Sequence, residues 1–211
     1  MSPAAATPSR TIPKALDRSL PLVLCAVLLA GCGSTSKRGA YYQGDGPPDR
    51  IPADLAEAPD AVPRVEPLNP RANRPYTALG RSYTPLTADV PFRQKGAASW
   101  YGRQFHGNRT ASGEIYDMFA MTAAHPTLPI PSYVRVTNLR NGRSVIVRVN
   151  DRGPFKDSRI IDLSYGAATR LGIVAAGTGE VEVERLTNAQ IASGEWRGQP
   201  AATGAAVPVS P

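Results

Sequence analysis

The sequence predicts a mainly β fold, a small β-barrel with one short helix, behind an N-terminal signal and a disordered tether. Three stretches carry this reading. "YVRVTNLRNGRSVIVRVND" alternates apolar and polar residues on both sides of Asn141-Gly142, a dipeptide that signals a hairpin at short range. "EVEVERL" near residue 183 is another alternating strand. "DLSYGAATRLG" from Asp162 reads as the helix, with Ser164 as N-cap and Gly172 as C-terminal stop. Short strands with Gly/Pro corners and a single helix suit a small barrel, and of the order of 90 to 110 residues is enough for one core.

Taken in order along the chain, residues 1–31 read as a lipoprotein signal peptide. A basic region with Arg10, Lys14 and Arg18 precedes the apolar run "LPLVLCAVLLAGC", Leu20 to Cys32, whose length and flanks fit a secretory signal better than a membrane span. "LLAGC" has the form of a bacterial lipobox: the small Ala30 and Gly31 admit a peptidase, and the Cys32 thiol takes the lipid. Acyl chains contribute about 0.8 kcal/mol per buried CH2, so several on one residue anchor a protein stably to a membrane. Gly rather than Asp at position 33 favours the periplasmic side of the outer membrane, with the inner membrane as the alternative. Residues 32–74 are rich in Pro, Gly, Ala and charge without a lasting hydrophobic period, and read as a lipid-anchored disordered tether. The barrel is expected over 75–186. Residues 187–211 are again rich in Ala, Gly and Pro and are expected to form a disordered tail, too short for a second domain.

Composition narrows the function classes. Three of the 24 basic residues and one of the 17 acidic ones precede Cys32, so the remainder keeps a mild positive excess. That suits an anionic polymer or a membrane surface. Without an aromatic-interleaved basic stripe or a nucleic-acid motif, no nucleic-acid partner is expected. Of the two cysteines, Cys25 leaves with the signal and Cys32 carries lipid, so the barrel has neither a disulfide nor a thiol nucleophile. With two histidines and no further cysteine, no metal and no cofactor are expected.

The candidate chemistry begins in "GAASWYGRQFHGNRTASGEIYDM", residues 96 to 118. Trp100 and Tyr101 stand before Gly102, and flat rings beside a glycine suit stacking on sugar rings; for Trp100 the barrel core is an equal alternative. Glu114 follows a Thr-Ala-Ser-Gly stretch that offers hydroxyl and backbone donors, though a surface Glu is the ordinary case. His125 in "TAAHPTLP" is either a site residue or a hydrogen-bonded structural one. Asp151 in "RVNDRGPF" is the most informative: it shares the parity of Val145, Val147 and Val149, whereas Ser144, Ile146, Arg148 and Asn150 take the other face. It is a turn former or an acid at the mouth of the core. Desolvation there raises its pKa and Arg152 lowers it. A carboxylic acid still protonated near neutral pH is what cleavage of a glycosidic bond requires, because the leaving oxygen must receive a proton. Asn150 and Arg152, on either side, complete the candidate binding set with Trp100, Tyr101 and His125.

"ASWYG", "FHGNRTASGEIYDM", "TAAHPTLP", "VRVTNLRNGRSVIVRVNDRGPF" and "RIIDLSYGAATRLG", in this order, resemble the rare lipoprotein A family over roughly 75 to 186. The resemblance implies a six-stranded double-psi β-barrel. It also implies an endolytic lytic transglycosylase that cleaves the MurNAc-GlcNAc bond of peptidoglycan glycan strands stripped of stem peptides, at septa or during cell separation. Cell-division proteins or amidases are the partners it suggests. Matched residue by residue, the family's two important carboxylates fall on Glu114 and Asp151 and its histidine on His125. In such a reaction Asp151 protonates the leaving oxygen and then takes the proton of the C6 hydroxyl, while Glu114 orients substrate or stabilises the oxocarbenium-like charge. Two departures stand out: no C-terminal glycan-binding repeat is expected in the tail, and Ile130-Pro131-Ser132 replaces Phe-Gly-Thr on one wall of the cleft. The alternatives are a non-catalytic, expansin-like peptidoglycan-binding lipoprotein and a purely structural one, because a fold does not fix a function.

Overall fold

A computed structural model describes residues 45–156 and 158–197. The signal peptide, the lipidation site Cys32 and residues 198–211 lie outside the described residues. Eight strands follow one another: β1 Tyr76–Ala78, β2 Arg81–Tyr83, β3 Arg93–Tyr101, β4 Thr122–Ala124, β5 Ser132–Asn138, β6 Ser144–Asp151, β7 Ile161–Ser164 and β8 Thr178–Leu186. The first two pair only with each other. The other six close into a barrel in the order β3-β7-β4-β6-β5-β8. β3/β7 and β4/β6 are parallel, and the remaining neighbours are antiparallel. This is the expected mainly β, six-stranded double-psi barrel.

Alternation explains how the barrel closes. Val145, Val147 and Val149 of β6 meet Val134 and Val136 of β5, Val181 and Val183 of β8, and Ile161 and Leu163 of β7 in one core. The β5-β6 hairpin pairs Thr137 with Ser144 and Ser132 with Val149, and Gly142 in its turn has φ 71°, as Asn-Gly leads one to expect. The helix α1, Tyr165–Leu171, starts where the Ser164 side chain accepts the Ala167 N–H and ends at Gly172 in the left-handed region, φ 77°. Among the described residues no helix is long and apolar enough to cross a membrane.

Two expectations fail where the residues are described. The stretch 45–74, read as a free tether, is a strap laid on the barrel. β5 is buried along its whole length, and its outer face with Tyr133, Ile146 and Leu186 forms a second apolar cluster that needs cover. Ala61 packs on it and its N–H donates to the Ile146 carbonyl at 3.0 Å, while the Asn69 N–H donates to Ile130 at 2.8 Å. Leu55 and Ala72 join the main core. At the other end the Asp45 carboxylate accepts the Gly102 N–H at 2.7 Å, and a Cβ on Gly102 would lie 2.1 Å from the Gly46 carbonyl oxygen, so only glycine allows this approach. The start of the presumed tail is likewise ordered: Thr187 and Gln190 form a capping box for a second helix, α2 Asn188–Ser193, and Ile191 and Trp196 cover the same apolar cluster.

Candidate active site

A cavity of about 220 Å3 opens where β3, β4 and β6 end. Tyr101, Ala124 and Asp151, the last residues of these strands, line it together with Asp162 of β7 and the rings of Phe105 and Phe155. Tyr101 presents its ring as a wall, stacked on Tyr116 with centroids 4.1 Å apart. Where β4 pairs with β6 the register shifts between Ala123 and Ala124, whose partners are Val149 and Asp151. Such bulges often re-aim side chains beside a site.

Among the described residues Asp151 is held through one carboxylate oxygen. Its Oδ1 accepts the N–H groups of Ala111 and Arg152, both at 2.8 Å. Burial pushes its carboxyl above the usual carboxylate range; those two donors and the Arg152 charge offset part of this. Asp162 is its neighbour in the cavity wall and is 4% exposed. Burial raises its pKa as well, against the Arg159 guanidinium at 3.2 Å and the Ser99 hydroxyl, which donates at 2.7 Å.

Glu114 lies on the other face of β6. The loop that carries it is stitched to the strand end by Ser112 N–H to the Asn150 carbonyl at 3.1 Å, next to the Ala111 bond to Asp151. Arg148 Nη1 donates to both carboxylate oxygens of Glu114 at 2.8 Å, and Asn150 Nδ2 donates to Oε2 at 2.9 Å. The same Arg148 grips Glu66 of the strap through Nε and Nη2, both at 2.9 Å. Burial acts to raise Glu66, but hydrogen bonds from Arg148 and Tyr133 and the Arg148 charge outweigh it and bring its pKa down to about 2. Glu114 and Asp151 are thus attached to one strand end by one loop, on opposite faces.

His125 is buried and neutral. Its Nδ1 accepts the N–H groups of Thr127 at 3.1 Å and Leu128 at 2.9 Å, which fixes the proton on Nε2. Burial, aided by the Arg152 charge, lowers its pKa to about 3. The His125 backbone N–H donates to the Asp151 carbonyl at 3.1 Å.

Two of the expected binding residues serve the scaffold instead. Trp100 is 1% exposed and packs edge-on against Tyr165 in the core, because strand alternation turns it inward beside Tyr101. Arg152 is a staple rather than an open cation. Its guanidinium donates to the carbonyls of Ala72, His125 and Leu128 and to Asn73 Oδ1, tying strap, loop and barrel together.

A family model described as "Lytic transglycolase" matches residues 93–183, the barrel itself. The protein named "Endolytic peptidoglycan transglycosylase RlpA" in Vibrio cholerae is 49% identical over 172 residues, covering 82% of this chain and 65% of its own. The barrel of this chain belongs to the rare lipoprotein A family. A protein of the same name in Pseudomonas aeruginosa (strain UCBPP-PA14) is 50% identical over 195 residues, 85% of this chain and 55% of its own. One in Neisseria meningitidis serogroup A is 59% identical over 133 residues, 63% of this chain and 56% of its own. The chain therefore spans between about half and two thirds of the length of these rare lipoprotein A relatives.

The pKa shifts in this rare lipoprotein A barrel make stability depend on pH in a definite direction. His125 titrates at about 3 when folded against 6.5 ordinarily, so below 6.5 the unfolded chain binds a proton that the folded chain refuses, and stability drains as pH falls. Glu66, at about 2 against 4.5, contributes stability that is present above 4.5 and lost as pH falls through 2. Urea unfolding at about pH 7, 5 and 3.5 is expected to show a steady decline. His125→Asn should flatten its upper part and Glu66→Gln its lower part; a flat profile in the unsubstituted protein would contradict both assignments.

Proposed function

We propose that this protein is an endolytic peptidoglycan lytic transglycosylase. It cleaves the MurNAc-GlcNAc bond of peptide-stripped glycan strands and leaves 1,6-anhydroMurNAc ends, in wall remodelling and cell separation. Lipid on Cys32 anchors it to the periplasmic side of the outer membrane. The observation that carries this reading is Asp151: a half-buried carboxyl of raised pKa, held among the described residues through Oδ1, in the wall of a cavity with three aromatic rings. Burial favours the protonated form of this carboxyl, and a carboxyl that gives up a proton beside ring faces acts as a general acid next to a platform for sugars.

The chemistry needs few groups. Asp151 gives its proton to the glycosidic oxygen as the bond from the muramic acid anomeric carbon breaks. The C6 hydroxyl of the same sugar then attacks that carbon and passes its proton to the Asp151 carboxylate, which restores the acid. Attack within one ring has a high effective molarity, so one acid/base suffices. Glu114, fixed by Arg148 and Asn150, is an anionic acceptor that orients the strand or stabilises the positive charge that develops. Asn150 holds Glu114, and Tyr101 stacks on the sugar.

An expansin-like binder would use the same rings without chemistry. To separate the two, the full-length protein in detergent is incubated with stripped glycan strands and centrifuged. Soluble fragments that accumulate with time are the expected result. Protein that sediments with the strands while releasing nothing would replace the enzyme by the binder.

A further inference from the structure

The cleavage steps use Glu114 but not the strap residue behind it. Glu114 sits on a loop with its side chain 42% exposed, and a carboxylate so placed spreads over several rotamers unless a partner holds it. Its holder is Arg148, whose Nη1 donates to both oxygens at 2.8 Å. A guanidinium orients a carboxylate well only when its own plane is fixed. The strap fixes that plane: Glu66 Oε1 accepts Arg148 Nε and Glu66 Oε2 accepts Nη2, both at 2.9 Å, a bidentate pair. Glu66 is fixed in turn by Tyr133, the cross-strand partner of Arg148 on β5, whose hydroxyl donates to Oε1 at 2.6 Å. One line of contacts, Tyr133 to Glu66 to Arg148 to Glu114, thus runs from the barrel through the strap to the loop.

Charge gives the same line a second consequence. Arg148 with Glu114 alone would be a neutral pair, which offers little to a developing positive charge. With Glu66 on its other edge, one guanidinium is shared by two carboxylates, and the group stays net negative. Arg64 also reaches Glu66 Oε1, at 3.2 Å, but its side chain is 71% exposed and water screens it. On the transglycosylase reading, on which this inference rests, Glu114 meets the glycan or the positive charge formed on it. We propose that Glu66 is a positioning residue for cleavage: by taking the Nε and Nη2 edge of Arg148 it fixes the Glu114 carboxylate in its working pose and leaves it its negative charge.

The test uses the full-length protein in detergent, stripped glycan strands and a double-substitution cycle. Glu66→Gln is expected to lower kcat about tenfold and to move KM much less, since an amide presents one acceptor where the guanidinium edge needs two. In a Glu114→Gln background the same substitution should change kcat by less than about twofold, because the group it positions is gone. A contact that only holds the strap behaves otherwise. Arg170→Gln, which cuts the tie from α1 to Asp60 of the strap at 2.8 Å, should lower the urea midpoint and leave kcat as it was. If Glu66→Gln does not fold, Tyr133→Phe takes its place in the cycle: it keeps the ring, removes only the hydroxyl on Glu66, and should lower kcat about threefold. An unchanged kcat, or an equal fall with and without Glu114, overturns the positioning role and leaves the enzyme standing. If the unsubstituted protein releases nothing, the enzyme reading falls and the positioning role falls with it.

Discussion

Asp151→Asn is expected to reduce cleavage of stripped glycan strands by about 100- to 10,000-fold, the usual contribution of a general acid/base. The substitution is close to isosteric, and the amide oxygen can still accept the Ala111 and Arg152 N–H groups that now reach Oδ1. What it loses is the proton. The barrel is not expected to suffer. Because the folded pKa of Asp151 is raised above 3.8, the charged carboxylate costs stability once pH rises through the folded value, and a neutral amide removes that cost. Urea unfolding near pH 7 should therefore show a midpoint as high as that of the unsubstituted protein or higher, while initial rates collapse. In the unsubstituted protein the rate should fall as pH rises through the raised pKa of Asp151. A variant that keeps most of its rate would remove Asp151 from the chemistry and move the role to Glu114.

The second large effect concerns stability. Arg152→Met removes the guanidinium that joins Ala72 and Asn73 of the strap to the carbonyls of His125 and Leu128. Methionine keeps much of the stem but leaves several part-buried acceptors without a donor, each worth about 1 to 3 kcal/mol when unsatisfied. A loss of about 3 kcal/mol or more in urea unfolding is expected, together with faster hydrogen exchange at the strap amides of Ala61 and Asn69, which bond to the barrel at 3.0 and 2.8 Å. Arg152→Lys should recover only part of this, since an ammonium cannot reproduce the planar fork. A loss below about 1 kcal/mol would mean that the strap is held by its other contacts.

These residues also show what a sequence reveals and what it hides. The hairpin, the α1 caps and the core face of β6 were legible because alternation and capping are local: Asn141-Gly142, Ser164 and Gly172 act on their own neighbours. Asp151 was legible through its parity with three valines. The strap was not, because its attachment uses single backbone groups and isolated side chains such as Asn69 and Glu66, which leave no period in a stretch rich in Pro and Ala. The role of Arg152 follows from the strap and was hidden with it. Trp100 and Tyr101 are adjacent rings on one strand, and which of them faces the core depends on register across the barrel. Two signals were readable and passed over: Thr187 and Gln190 have the spacing of a capping box, and Asp162 interrupts the apolar run "RIIDL", where a buried carboxylate needs partners.

The most direct measurement is to digest stripped strands in isotopically labelled water and weigh the new muramic acid ends by mass spectrometry. Attack by the C6 hydroxyl uses no solvent oxygen, so the ends are expected to be 1,6-anhydro, lighter than hydrolytic ends by one water and free of label, and absent when Asp151→Asn replaces the unsubstituted protein. Labelled reducing ends would show that water is the nucleophile and would contradict the transglycosylase mechanism.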